Sequence, residues 1–143
     1  LHGNPLTNEG VCTIVDAILG SPESSITNLD LGDCGMTDEG AGYIARLLEN
    51  NLTVSDLTIS CNLIGHEGCK KIGKALEQST ALKALSLDFC QLGDDDSEII
   101  AEALKKSTSL RSLDLEGNKI GDKGGTSFLE ALKVNESLVD LTL

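Results

Sequence analysis

Apolar residues recur along this chain with two spacings nested inside one longer period. In each period a short alternating run is followed, after a polar turn, by apolar positions three and four residues apart. The alternation is that of a strand with one buried face, and the wider spacing is that of a helix with one buried side. The runs open at Ile26, Val54, Leu82, Leu110 and Leu138, each 28 residues after the last. In the unit from Leu110, Leu113 and Leu115 alternate as a strand, Asn118 stands in the turn and Ile120 returns to the interior. Gly121-Asp122 then turns the chain, with Asp122 placed to cap a helix on which Phe128, Leu129, Ala131 and Leu132 share one side. Lys133 falls in the last turn, where a cation suits the helix dipole.

The other units repeat these columns. One strand position holds Leu29, Leu57, Leu85, Leu113 and Leu141, and the next inward one holds Leu1, Leu31, Ile59, Leu87, Leu115 and Leu143. On the helices, Ile14, Ile44, Ile72, Ile100 and Phe128 form one core column, and Ile18, Leu48, Leu76, Leu104 and Leu132 another. Between them Ala17, Leu47, Ala75, Ala103 and Ala131 are mostly small, letting helix approach sheet. A fixed period of this length marks a solenoid, each unit burying its apolar edge against its neighbours. Stacked strands sit about 4.8 Å apart and helices about 8–10 Å, so the helix side fans outward and the stack bends, strands inside. Two departures stand out. The first interval, Leu1 to Leu31, is longer, with the excess near Gly20-Ser21-Pro22-Glu23. The glycine column Gly10, Gly40, Gly68 and Gly124 is broken by Asp96.

The turn column reads Asn4, Cys34, Asn62, Cys90, Asn118. An inward Asn amide can donate to and accept from adjacent turns, whereas a Cys fills the niche with fewer hydrogen bonds. The alternation predicts a double unit of two repeats, with structural cysteines. With these turns the segments LDLGDCGMTDEG, LTISCNLIGHEG, LSLDFCQLGDDD and LDLEGNKIGDKG, each leading into an amphipathic helix, resemble the leucine-rich repeats of the ribonuclease-inhibitor type. The Asn/Cys alternation is similar to that in ribonuclease inhibitor and in the repeat regions of NOD-like receptors. The same repeat occurs in Ran GTPase-activating proteins and tropomodulin-like actin regulators. The resemblance covers essentially the whole chain. It implies an α/β leucine-rich repeat solenoid, a curved horseshoe segment with parallel strands on the concave face and helices on the convex face, used mainly for protein recognition.

Charge narrows the partner. The 143 residues carry a formal net charge of −12, which excludes a generic binder of nucleic-acid backbone and favours a basic protein, or no electrostatic preference. Aromatic residues are 2% of the chain, so the core is aliphatic. Cys12, Cys34, Cys61, Cys69 and Cys90 are odd in number and lack zinc-type spacing, which points to free thiols in a reducing compartment, the cytoplasm or the nucleus, with the cytoplasm expected. No run is long enough to span a bilayer and no signal peptide opens the chain.

Between the buried strand positions, side chains face the concave side. Six of them are acidic and none is basic: Asp30, Asp56, Asp88, Asp114, Glu116 and Asp140. Most cations, Lys70, Lys71, Lys74, Lys105 and Lys106 among them, belong to the helices. The expected site is therefore an acidic inner surface for a basic partner, or else short polar residues solvating an unused face. Phe89, at the rim beside Asp88, either anchors a partner or lies flat over neighbouring turns.

Other chemistry is thin. Asp94-Asp95-Asp96-Ser97-Glu98 lacks the spacing of a calcium loop and reads as a helix start. His66 shares the turn column of Asp38, Asp94 and Asp122 and reads as a cap-region residue. No nucleophile elbow, phosphate loop or zinc motif is present, so neither catalysis nor a cofactor is expected. Five strands offer an inner face of roughly 400–500 Å², below the roughly 800 Å² that a specific interface takes from each partner. A single array of about five repeats over 1–143, cut from a longer one, is therefore expected, and exposed end strands could pair two copies. Two further functions stay open: a GTPase-activating regulator of the Ran type, and an inhibitor of a basic enzyme such as a ribonuclease.

Overall fold

A computed structural model describes all residues 1–143. Five helices alternate with five strands: α1 (Thr7–Leu19), β1 (Asn28–Asp30), α2 (Asp38–Asn50), β2 (Asp56–Thr58), α3 (His66–Gln78), β3 (Ala84–Ser86), α4 (Asp94–Lys106), β4 (Ser112–Asp114), α5 (Asp122–Leu132) and β5 (Asp140–Thr142). The strands form one parallel sheet in chain order, with Leu29, Leu57, Leu85, Leu113 and Leu141 in register. Helices cover one face of the sheet, and each helix contacts the next. The result is the expected horseshoe segment, parallel strands on the concave side. Its core is one continuous aliphatic cluster running the length of the stack, Phe128 its one fully buried aromatic.

Each strand is only three residues long because the chain soon turns into the left-handed region. Asp33, Cys61, Phe89 and Gly117 have φ of 48°, 55°, 53° and 69°, ending the extended run at the same place in every unit. Leaving the sheet strands backbone groups that need partners. Asn62 supplies them across the unit boundary: its Oδ1 accepts the N–H groups of Cys34 and Met36 (3.2 and 2.9 Å), and its Nδ2 donates to Leu31 O and Ile59 O, both 2.9 Å. Asn118 repeats the arrangement with Cys90 and Leu92. Cys90 puts its thiol where those amides sit, 3.5 Å from Ile59 O and Asp88 O. The backbone alternates too. Gly35 and Gln91, after the cysteines, have positive φ, whereas Leu63 and Lys119, after the asparagines, donate to Met36 O and Leu92 O of the preceding turn. The expected double unit is thus visible in the main chain.

Helix starts depart from expectation. Asp122 does not cap its own helix, because it is the first residue of α5 and Gly121 precedes it as N-cap without a side-chain cap. Capping comes instead from the unit before. Asp38 Oδ1 accepts Gly65 N–H and Gly68 N–H (2.7 and 2.9 Å), and Asp94 Oδ1 accepts Gly121 N–H and Gly124 N–H (2.8 and 2.9 Å). Asn8 serves Thr37 and Gly40 in the same way. This explains the glycine column: a Cβ on Gly68 or Gly124 would lie 2.7 or 2.8 Å from the capping oxygen. It also explains the break. His66 occupies the capping column before α4 and Gly93 N–H goes to Asp96 Oδ2 instead (3.0 Å), so a carboxylate stands where the glycine was. His66 pairs with that carboxylate through Nδ1 (2.9 Å).

At both ends of the stack the columns lose a neighbour. Leu129 and Leu132, expected inside, are 63% and 41% exposed, and Leu1 and Leu143 are exposed as well. Ala17 is exposed and Ile14 only half-buried. Periodicity assigns a residue to a face, but only a following unit covers that face. Lys133 is the residue after α5 rather than part of its last turn, and it pairs with Glu130. The long first connection runs from Gly20 to Thr27, against 51–55, 79–83 and 107–111 in the units that follow.

Candidate protein-binding face

The outward side chains of the sheet are fixed by the strand period: Leu29, Leu57, Leu85 and Leu113 point into the core, so their neighbours point away. This brings Asp30, Asp56, Asp88, Asp114, Glu116 and Asp140 onto one surface, each exposed or half-buried. None of the six pairs with a lysine or arginine. Every such pair lies among helical residues or next to them, for example Arg46–Asp16, Lys106–Glu77 and Lys123–Asp95. The carboxylates of the sheet face are instead held by neutral donors. Ser60 and Ser86 both donate to Asp88, Ser55 donates to Asp56, and Asp30 and Asp114 accept Gly32 N–H and Glu116 N–H (2.9 and 3.0 Å). Neutral donors orient a carboxylate without cancelling its charge, so the face keeps its negative potential.

Three features of this face escaped the sequence. Ser60 and Gly32, which the strand alternation would turn toward the concave side, are buried: Ser60 lies beneath the Asp88 carboxylate, and the His2 ring covers Gly32, whose Cβ would meet His2 Nδ1 at 2.4 Å. His2 also stands 3.4 Å from Asp30. Its position 30 residues before Gly32, the length of the first interval, was the signal available.

Phe89 packs over the neighbouring turn and still stays exposed. Its ring lies against the next turn, where a Cβ on Gly117 would meet Cε1 at 2.3 Å, yet 54% of the residue remains exposed. Its φ of 53° is uncommon for a bulky side chain. One ring face rests on backbone and the other is open beside Asp88 and Glu116.

The remaining candidates have structural employment. Asp94 caps α5, Asp95 pairs with Lys123, and Asp96 caps α4 and holds His66, so the acidic run is a helix start. No group of three or more His, Cys, Asp or Glu side chains is arranged to hold a metal ion. Burial pushes the Cys69 thiol up to about 12 and the Cys90 thiol up to about 11, and it also raises Cys34. No helix is long and apolar enough to cross a membrane.

The sequence model of the leucine-rich repeat family matches residues 24–45 and 106–129. Mouse (Mus musculus) ribonuclease inhibitor is 35% identical over 65 residues, which is 46% of this chain and 14% of that protein. The matched segments and the fold are those of leucine-rich repeats of the ribonuclease-inhibitor type. Human (Homo sapiens) NACHT, LRR and PYD domains-containing protein 5 is 36% identical over 67 residues, 47% of this repeat chain and 6% of that protein. The matches therefore span only a small part of either relative. Among solved structures, leiomodin-1 actin-binding site 2 superposes with a TM-score of 0.75 at 23% identity, covering 93% of this array and 78% of that chain. The C-terminal domain of Caenorhabditis elegans tropomodulin gives 0.59 at 22% identity, covering 73% and 62%. At that identity the likeness is one of fold. Leucine-rich repeat domains serve generally as protein-binding modules.

Proposed function

We propose that this array binds a basic protein segment on its concave face, through Asp30, Asp56, Asp88, Asp114, Glu116 and Asp140, with Phe89 as a rim anchor. It is a recognition module without catalytic chemistry of its own, and its five free thiols suit the cytoplasm. The observation that carries the reading is the segregation of charge: the sheet-face acids have no lysine or arginine partner, and every lysine or arginine ion pair is made to an acid of a helix. An arriving lysine or arginine finds carboxylates already oriented and still charged, which raises both encounter rate and selectivity. The open face of Phe89 suits an alkyl stem or a guanidinium plane. Similarity to ribonuclease inhibitor favours one partner class in particular, a basic enzyme held by its cationic surface.

The test is calorimetric titration with a lysine- and arginine-rich peptide and with a basic ribonuclease, at low and raised salt. Reversing Asp56, Asp88 or Asp114 to Lys should weaken binding about tenfold or more each. Phe89→Gly, which relieves the positive φ and so preserves the turn, should weaken it about fivefold. Unchanged affinity after the sheet-face reversals, with loss instead on reversing Glu67 and Glu130 of the helices, would move the site to the convex side.

A further inference from the structure

The chain holds one Tyr, two Phe and no Trp, and the three rings have different surroundings. Phe128 is buried in the core. Tyr43, on α2, lies under the Arg46 guanidinium, whose carbon stands 5.7 Å from the ring centroid and which also pairs with Asp16 of the preceding helix. Ring, guanidinium and carboxylate form one set there, each member supplied by the chain itself. Phe89 has the ring and the carboxylates of such a set, and no cation. Asp33, Cys61 and Gly117 hold the same place in their own turns, so only at 89 does that place carry a bulky apolar side chain, 54% exposed.

The carboxylates beside the ring are poised rather than satisfied. Asp88 and Glu116 occupy one column of adjacent units, and Phe89 N–H donates to Glu116 O (2.9 Å). Ser60 and Ser86 both donate to Oδ1 of Asp88, which leaves Oδ2 without a hydrogen-bond partner. Glu116 is anchored through its backbone N–H to Asp114 Oδ1 (3.0 Å), and its carboxylate takes no hydrogen bond or ion pair. A guanidinium is planar and weakly hydrated, so it can stack on a ring while its in-plane N–H groups still donate from the edge. An ammonium is a compact, strongly hydrated point with no plane to lay down.

We infer that Asp88, Phe89 and Glu116 form a subsite for one arginine side chain of the partner, selective for arginine over lysine. The inference rests on the acidic concave face being the binding surface and adds a residue type at one place on it. The guanidinium lies on the open face of Phe89, and its edge donates to Asp88 Oδ2 and to the Glu116 carboxylate. It completes at the rim the set that Arg46 completes over Tyr43. Asp30, Asp56 and Asp140 have no ring beside them, so lysine and arginine serve there alike.

The test is calorimetric titration with two peptides of equal length and charge, one carrying arginine and the other lysine at every basic position. The arginine peptide should bind about tenfold more tightly. Phe89→Leu keeps apolar bulk but removes the π face, and should reduce that ratio to about twofold or less. Phe89→Gly, free of the positive-φ strain, should reduce it equally, while lysine-peptide binding reports that the face is intact in both variants. Asp30→Lys, two units away, should weaken both peptides and leave the ratio near tenfold. Equal affinity of the two peptides for the original chain, or a preference that survives Phe89→Leu, would overturn the subsite. Loss of both peptides on Asp56→Lys would in that case still uphold the acidic face. Failure of either peptide to bind at all would overturn that face and the subsite with it.

Discussion

The five cysteines divide by what surrounds their sulfurs. Cys34, Cys69 and Cys90 are buried in the stack, Cys61 is exposed at the end of a strand, and Cys12 lies half-open on α1. Burial disfavours the thiolate, which lifts Cys69 and Cys90 from an ordinary 9.0 to about 12 and about 11. The consequence for stability has a definite sign. Unfolding frees both thiols to ionise at their ordinary value, so the unfolded state binds fewer protons in the alkaline range. Their contribution to stability is intact below pH 9 and is lost progressively as pH rises toward 11 and 12. Unfolding midpoints measured from pH 8 to pH 11 should fall. Cys90→Ser, which removes one of the two titrating groups, should flatten part of that fall; an unchanged slope would mean that the thiol does not drive it.

At the scale of the element, the departure at α4 is an experiment already half done. Where a carboxylate of the preceding unit caps the helix, the facing position is glycine; where His66 stands instead, Asp96 caps from within its own helix. The two solutions exclude each other, because the Asp38 carboxylate already fills the space a side chain at Gly68 would need. Asp96→Gly should therefore cost about 1 kcal/mol by leaving Gly93 N–H without its acceptor. Adding His66→Asp should recover most of it by installing the scheme of the neighbouring units. A double variant no more stable than Asp96→Gly alone, by urea midpoint, would refute the exchange. The strands, the helices and their buried columns could be read from the period, because Leu and Ile at fixed spacing leave few alternatives. The direction of capping could not, since Asp38, Asp94 and Asp122 look like local caps until the next unit is placed beside them. Nor could the exposure of Leu129 and Leu132, because a spacing names a face and says nothing of its cover. On the sheet face the six acids were legible through the strand alternation. Burial of Ser60 and the position of the His2 ring depend on contacts between units and were not.

Across the whole molecule, a net charge of −12 acts on stability and on binding in opposite directions. The lysine and arginine ion pairs are all made to acids of the helices, but the six carboxylates of the sheet face share one surface with only serines, backbone N–H groups and His2 around them. Their mutual repulsion is relieved when the chain unfolds and the strands separate, so it subtracts from stability. At about 0.15 M salt the screening length is about 8 Å, longer than the separation of adjacent strands, so the repulsion persists until salt rises further. Raising sodium chloride from about 0.05 to 0.5 M should therefore increase the unfolding midpoint of the array. The same change should weaken the titrated basic peptide, whose attraction is screened by the same ions. Asp56→Asn together with Asp114→Asn should reduce both responses, because one set of charges causes the two effects. If salt raised the midpoint but left peptide affinity unaltered, repulsion on the sheet face would be real and the partner would be bound elsewhere. If neither responded, the six carboxylates would be too well solvated to act on anything, and the charge of the face would be decoration on a scaffold.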